Sequence, residues 1–132
     1  MSFVARVKSI SSVDSLNIVE FDFNNTIFKM MSLELDENIK VGTKVELLVK
    51  ATKVIISKNF IEDISLSNQT LAKISSINLG ELLCSITLNL GDTTIESIIT
   101  KDSALKLNLK KDDEVNILIK ASDLSIYRIL ND

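Results

Sequence analysis

Residues 3–10 read FVARVKSI, and residues 70–77 read TLAKISSI. Both stretches alternate apolar and polar side chains, a pattern that is typical of a β-strand with one buried face. The same spacing of 67 positions relates the alternating residues 18–23 to residues 85–90. A pattern that returns at a fixed spacing indicates two copies of one small structural unit.

The ends of the two copies are related by a slightly larger spacing. Residues 48–52 read LVKAT and residues 118–122 read LIKAS, and these two blocks lie 70 positions apart. The second copy therefore contains about three more residues than the first, and we place them between Ile99 and Lys110.

Each copy is rich in predicted β-strands. Alternating side chains predict further strands at residues 45–49 and 115–119, and short runs of branched apolar residues predict strands at residues 54–56 and 124–126. Residues 100–107 are predicted to form a short helix with Thr100 as its N-cap. Five short strands per copy favour an all-β fold of two tandem OB-fold-like Greek-key barrels, each with at most one short helix. We assign the first barrel to residues 1–60 and the second to residues 64–132.

The composition excludes several classes of function. The chain of 132 residues has no histidine and one cysteine, Cys84, so it cannot form a His/Cys zinc site or a histidine-based catalytic triad. A net charge of −3 with five Phe, one Tyr and no Trp argues against a nucleic-acid-binding module. No long apolar run and no signal peptide is recognisable. We therefore expect a cytoplasmic protein that contacts no membrane or nucleic acid and is not an enzyme.

Three blocks of the second copy carry a resemblance to a known family. Residues 64–69 read ISLSNQ, residues 98–103 read IITKDS, and residues 118–122 read LIKAS. In this order the blocks resemble the molybdenum-pterin-binding (Mop, molbindin) pattern within the wider TOBE class, which has Ser-Ala-Arg-Asn, Thr-x-x-Ser before a short helix, and Ile-Lys-Ala-Ser/Thr. The resemblance covers residues 64–126 and extends more weakly to residues 2–57.

The resemblance implies oligomeric β-barrels that bind molybdate or tungstate between packed domains. Two-copy members of the family are similar to cytoplasmic molybdate stores, and the same unit occurs in molybdate-responsive regulators and transporter ATPases. Because no winged-helix segment and no Walker loop is recognisable in the sequence, a free-standing store is favoured. We expect a homo-oligomer, a dimer or a trimer, with molybdate or tungstate as ligand and no other cofactor.

The residue types of the second copy suit such a ligand. Molybdate is a dianion with four acceptor oxygens, so its site should offer hydroxyls, main-chain N–H groups and a cation, with no carboxylate nearby. We predict that Thr100, Ser103 and Lys120 lie close together, within one chain or across a subunit contact. The predicted oxyanion-binding residues are Ser65, Ser67, Asn68, Thr100, Ser103, Lys120, Ala121 and Ser122.

The first copy departs from the family pattern. Its counterpart of residues 65–68 would precede Met1, and its shorter middle lacks the Thr-x-x-Ser block. The weaker candidates there are Ser32, Lys50, Ala51 and Thr52, so we predict a degenerate site in this copy. Ser67 also stands where the family has an arginine, which removes a cationic contact that has several donors.

Other interpretations stay open for these residues. Thr100 and Ser103 are also what a helix N-cap requires, and Lys50 and Lys120 are also typical of exposed strand ends. Residues 65–68 also fit a turn that links the copies. Two alternative functions remain beside storage: an oxyanion-sensing subunit of a transporter or regulator, and a single-stranded nucleic-acid-binding barrel.

Overall fold

The computed structural model describes residues 2–132 and contains two curled, barrel-like sheets of five strands each. The strands are β1 (Ser2–Val13), β2 (Leu16–Phe23), β3 (Thr26–Ser32), β4 (Lys44–Leu48), β5 (Ile55–Ser57), β6 (Asn68–Leu79), β7 (Leu83–Leu90), β8 (Thr93–Thr100), β9 (Glu114–Ile119) and β10 (Ser125–Ile129). One short helix, α1 (Lys101–Lys106), follows β8, and 3₁₀ turns are formed by Ala51–Lys53 and Ala121–Asp123. The prediction of an all-β fold with a short helix is confirmed.

The two sheets preserve the repeat seen in the sequence. In each, a long strand pairs with the next strand of a meander, and its register shifts at equivalent places, between Val7 and Ser9 in β1 and between Ile74 and Ser76 in β6. These β-bulges increase the local twist and help each sheet to curl. The tight turn of Asn24 and Asn25, both with positive φ, joins β2 to β3 as a two-residue hairpin.

The sheets exchange their last strands. The first has the order β10-β4-β1-β2-β3 and the second β5-β9-β6-β7-β8, with all the assigned pairings antiparallel. Thus β5, from the first copy, completes the second sheet, and β10, from the second copy, completes the first. Sheet membership therefore does not follow the division into residues 1–60 and 64–132, which stays a prediction about the repeat.

One continuous core joins the two sheets. Phe3, Phe23 and Phe28 form an aromatic cluster in the first sheet, with ring centroids 4.8 to 5.8 Å apart. In the second sheet most of the buried side chains are aliphatic, and Ile74, Ile86, Leu88, Ile95 and Ile117 are almost fully covered. Packing of this kind, in which both copies contribute to one core, relieves the shortage of buried area in units of this size.

Candidate functional site

The Lys-Ala-Thr and Lys-Ala-Ser blocks lie where the chain crosses from one sheet to the other. The first 3₁₀ turn, residues 51–53, connects β4 to β5 and packs on β8, whereas the second, residues 121–123, connects β9 to β10 and packs on β3. Each block therefore lies against the opposite copy. Ser97, fully buried on β8, fixes the first crossing because its hydroxyl donates to the carbonyl of Val54 at 2.7 Å.

A cleft of about 290 Å³ opens between the first 3₁₀ turn, β5, β8 and α1, and we call it the donor cleft. Its polar lining consists of Thr52, Ser103 and Lys106, and its lining contains no carboxylate. The apolar lining residues are Val54, Ile55, Ile56, Ile98, Ile99 and Leu107. Such a surface offers hydrogen-bond donors and positive charge from an otherwise apolar wall.

Thr100 and Ser103 are brought together at the start of α1. The main-chain N–H of Ser103 donates to Thr100 Oγ1 at 3.2 Å, which is the N-cap contact, and the Thr100 hydroxyl donates to Ser103 Oγ at 3.0 Å. The Ser103 oxygen accepts this bond, so its own O–H remains available as a donor. Thr100 is thus a helix cap that also orients the hydroxyl beside the donor cleft.

A second cleft, of about 610 Å³, occupies the equivalent place in the first sheet, and we call it the acidic cleft. Ser32 and Ser122 line it, but so do the carboxylates of Glu34 and Asp36. The Ser32 hydroxyl donates to the main-chain carbonyl of Glu34 and accepts from its N–H. Arg128 also lines this cleft, and its Nε lies 2.7 Å from Glu46 Oε1.

The predicted residues at the start of β6 divide into two kinds. Asn68 is 1% exposed, and its side chain pairs with the main chain of Lys29: Oδ1 accepts from the N–H at 2.6 Å and Nδ2 donates to the carbonyl at 2.7 Å. Asn68 therefore caps the edge of β3. Ser65 and Ser67 are exposed and their hydroxyls make no hydrogen bond to residues 2–132.

The predicted grouping of Thr100, Ser103 and Lys120 stays a prediction, and Lys120 is not among the residues that line the donor cleft with Ser103. Ala121 and Ser122 belong to the turn that packs on β3, and Lys120 directly precedes it. Instead the chain pairs Ser103 of the second copy with Thr52 of the first, and Ser32 of the first with Ser122 of the second. Sequence reasoning missed this exchange because a strand alternates identically whichever sheet it joins.

The lysines of the Lys-Ala-Thr and Lys-Ala-Ser blocks form no ion pair among residues 2–132. Lys50 and Lys120 are exposed, and each lies in extended backbone directly before its 3₁₀ turn. Ala51 and Ala121 are the first residues of the turns and are partly buried. The ammonium groups therefore remain available to a ligand or to another chain.

Two polar residues outside the predictions fix the segment that carries Ser65. The side-chain amide of Gln69 makes two hydrogen bonds to the main chain of Ile61. Its Nε2 donates to the carbonyl at 2.8 Å, and its Oε1 accepts from the N–H at 3.1 Å. Asn116, fully buried, donates to Gln69 Oε1 at 2.8 Å, while its own Oδ1 is buried without a partner among residues 2–132. Polar residues inside a strand pattern, such as Asn116 within β9, are the sequence signal for such a network.

The pKa values of Glu46 and Cys84 are shifted in opposite directions. A hydrogen bond from Ser2, at 2.5 Å, and another from Arg128 hold the pKa of Glu46 below its ordinary value. Burial raises the pKa of the Cys84 thiol, which lies in β7. Among residues 2–132 no three His, Cys, Asp or Glu side chains lie close enough to hold a metal ion, and no helix is long and apolar enough to span a membrane.

Comparisons with known proteins agree with this architecture. Residues 64–126 match the TOBE domain family. The chain is 27% identical over 113 residues to the molybdate/tungstate import ATP-binding protein WtpC of Pyrococcus horikoshii (strain ATCC 700860 / DSM 12428 / JCM 9974 / NBRC 100139 / OT-3). That alignment takes in 84% of this chain but 32% of WtpC, so the chain spans about a third of the length of this curated relative.

Among solved structures, the fold matches that of the cytoplasmic molybdate-binding protein ModG, crystallised with molybdate bound. The TM-score is 0.88 at 23% sequence identity, and the match covers 96% of this chain and 94% of that chain. The likeness shows a shared fold over nearly the whole chain, and it confirms the prediction of two barrel-like β units.

Proposed function

Because residues 64–126 match the TOBE domain family and nearly the whole chain shares the ModG fold, we propose that this chain is a Mop/TOBE-type protein that binds molybdate or tungstate as the intact oxyanion. The observation that carries the proposal is the donor cleft, in which Thr52, Ser103 and Lys106 supply donors and no carboxylate is present. The cleft is formed by both copies. The second copy, residues 64–132, contributes Ser103 and Lys106, and the first, residues 1–60, contributes Thr52.

The chemistry of the ligand fits these groups. Molybdate and tungstate are dianions at neutral pH and accept hydrogen bonds without donating any, so a site of hydroxyls and a lysine can donate to them and places no carboxylate against their charge. Hydrogen bonds from neutral hydroxyls to a charged oxygen are stronger than those between neutral groups. A protonated oxyanion such as hydrogen phosphate would find only neutral hydroxyl oxygens as acceptors for its own O–H in this lining, and no carboxylate, which disfavours it.

The remaining predicted donors suit a subunit contact. Ser65, Ser67 and Lys120 are exposed and have no side-chain partner within residues 2–132. Large apolar side chains are exposed at several hairpin and loop ends, among them Leu82 at 81%, Val13 at 73% and Leu33 at 70%. We therefore include in the proposal a homo-oligomer, a dimer or a trimer, in which these donors add to oxyanion binding from a neighbouring chain. Native mass spectrometry with and without molybdate measures the oligomer and the anion count together.

Storage of the oxyanion inside the cell is the role that we propose for binding. A regulatory role is the second candidate, because the curated relative is an import ATP-binding protein of which this chain matches one part. Pull-down of transporter ATPase subunits in the presence and absence of molybdate separates the two roles, since only a sensor is expected to change its partner with the ligand.

Calorimetric titration of the full chain tests the proposed binding. Molybdate and tungstate are expected to bind, with sulfate weaker because it is smaller than the cleft requires and phosphate weaker because it carries a proton. Comparable affinities for all four anions, or no heat with molybdate, would contradict the proposal.

A further inference from the structure

The two clefts occupy equivalent positions in the repeat, so their linings can be compared residue by residue. The turn at Gly42 corresponds to the turn at Asp112: both have positive φ, 93° and 73°. Their N–H groups donate at 2.8 Å to the carbonyls of Val7 and Ile74, which are themselves equivalent. Gly42 and Asp112 lie 70 positions apart, so each residue just before the first turn corresponds to the residue 70 positions later in the sequence.

With this spacing, Lys106 of α1 corresponds to Asp36 of the loop after β3. Both line their clefts, so one position carries a positive charge in the donor cleft and a negative charge in the acidic cleft. Thr52 and Ser122 correspond in the same way, and each supplies a hydroxyl to its cleft. One hydroxyl position is thus shared by the two clefts, whereas the charge is inverted.

The other charges strengthen this difference. In the acidic cleft, Glu34 adds a second carboxylate, and the guanidinium of Arg128 is already paired with Glu46. In the donor cleft, Lys106 forms no ion pair among residues 2–132, and Asp102, the carboxylate of the same helix, is not part of the lining. A dianion meets attraction in one cleft and repulsion in the other, and both forces are stronger beside apolar walls than in water.

We propose that Lys106 determines where this chain binds the dianion, and that Glu34 and Asp36 close the equivalent acidic cleft to it. The inference rests on the proposed oxyanion binding and specifies its stoichiometry: one dianion per chain, held in the donor cleft.

The test is calorimetric titration with molybdate of the wild-type chain and three variants. Lys106→Gln removes the charge and keeps helix propensity, and the expected result is a loss of affinity of about tenfold or more, the size of one charge-assisted hydrogen bond. Lys101→Gln, at the other end of α1 and outside the cleft lining, is the matched control and should bind as the wild type does.

The double variant Glu34→Gln/Asp36→Lys copies the charge of the donor cleft into the acidic cleft. Its expected stoichiometry is two anions per chain, against one for the wild type. The inference is overturned if the wild type binds two equivalent anions, if Lys106→Gln binds as tightly as the wild type, or if the double variant stays at one anion. Those outcomes leave oxyanion binding itself intact, whereas a wild-type chain that binds no molybdate overturns both proposals.

Discussion

The hydroxyl of Ser103 illustrates how one side chain serves both the fold and the proposed site. Its neighbour Thr100 caps α1 by accepting the Ser103 N–H and also donates to Ser103 Oγ, which leaves the Ser103 O–H as a free donor. The sequence predicts both residues as candidates for capping and for binding. The contact between them explains why the two interpretations do not exclude each other.

Ser103→Ala separates these two functions. The main-chain cap to Thr100 persists, so the free energy of unfolding should change by less than about 0.5 kcal/mol. The lost donor to a charged oxygen should lower molybdate affinity by about 10- to 100-fold. Calorimetry and urea unfolding of Ser103→Ala measure the two effects, with Ser125→Ala, which lines the acidic cleft, as the control. Equal affinities for the two variants would exclude Ser103 from the site.

Asn68, by contrast, is a predicted ligand residue whose contacts are structural. It is buried and uses both amide groups on the main chain of Lys29. Asn68→Ala should destabilise the chain by about 2–4 kcal/mol, because two bonds are lost and an edge N–H and C=O are left unpaired. Urea unfolding checks this against Asn78→Ala, an exposed position of the same strand, which should cost less than about 0.5 kcal/mol. Equal costs would show that the Asn68 bonds add nothing.

Strand β10 is an element that joins the first sheet from the far end of the sequence. It pairs with β4, where Arg128 Nε lies 2.7 Å from Glu46 Oε1 and Ser2 donates to the same carboxylate. The short apolar run that predicts a strand here is visible in the sequence, but its partner is not. A strand of five residues gives the same alternation beside β9 as beside β4, so the choice depends on tertiary packing.

The pKa of Glu46 gives this contact a defined pH dependence. Because Ser2 and Arg128 hold the folded-state pKa below its ordinary value of 4.5, the stabilisation is present above that value and is lost as the pH falls through the folded-state pKa. Glu46→Gln should therefore lower Tm at pH 7, and the difference from the wild type should shrink on acidification. Thermal unfolding between pH 7 and pH 3 measures it, with the exposed Glu62→Gln as control. A difference independent of pH would contradict this account.

The molecule as a whole is assembled by exchange of β5 and β10 between two similar sheets. The repeat, the strand content, the short helix and the family pattern could all be predicted from the sequence, because they depend on local alternation and on spacing. The pairing of Thr52 with Ser103, and of Ser122 with Ser32, could not. It depends on which sheet each crossing strand joins. The opposite charges of Asp36 and Lys106 could have been predicted from the sequence, because both residues lie six positions before the equivalent turn residues Gly42 and Asp112.

Fragments that respect or ignore the exchange should differ in stability. Residues 54–124 contain all five strands of the second sheet, whereas residues 64–132 lack β5 and leave the edge of β9 open. The first fragment should unfold cooperatively with the larger free energy, and the second should unfold broadly or aggregate. Urea unfolding followed by circular dichroism compares them. A more stable 64–132 fragment would show that each copy folds by itself.

The central claim is that hydroxyls and a lysine, with no carboxylate among them, bind the molybdate or tungstate dianion. Locating tungsten in a crystal tests this claim most directly. Crystals of the full chain grown with tungstate can be measured at the tungsten absorption edge. The account expects an anomalous peak within hydrogen-bond distance of Ser103, Thr52 or Lys106. A peak beside Glu34 and Asp36, or none next to these three donors, would contradict it.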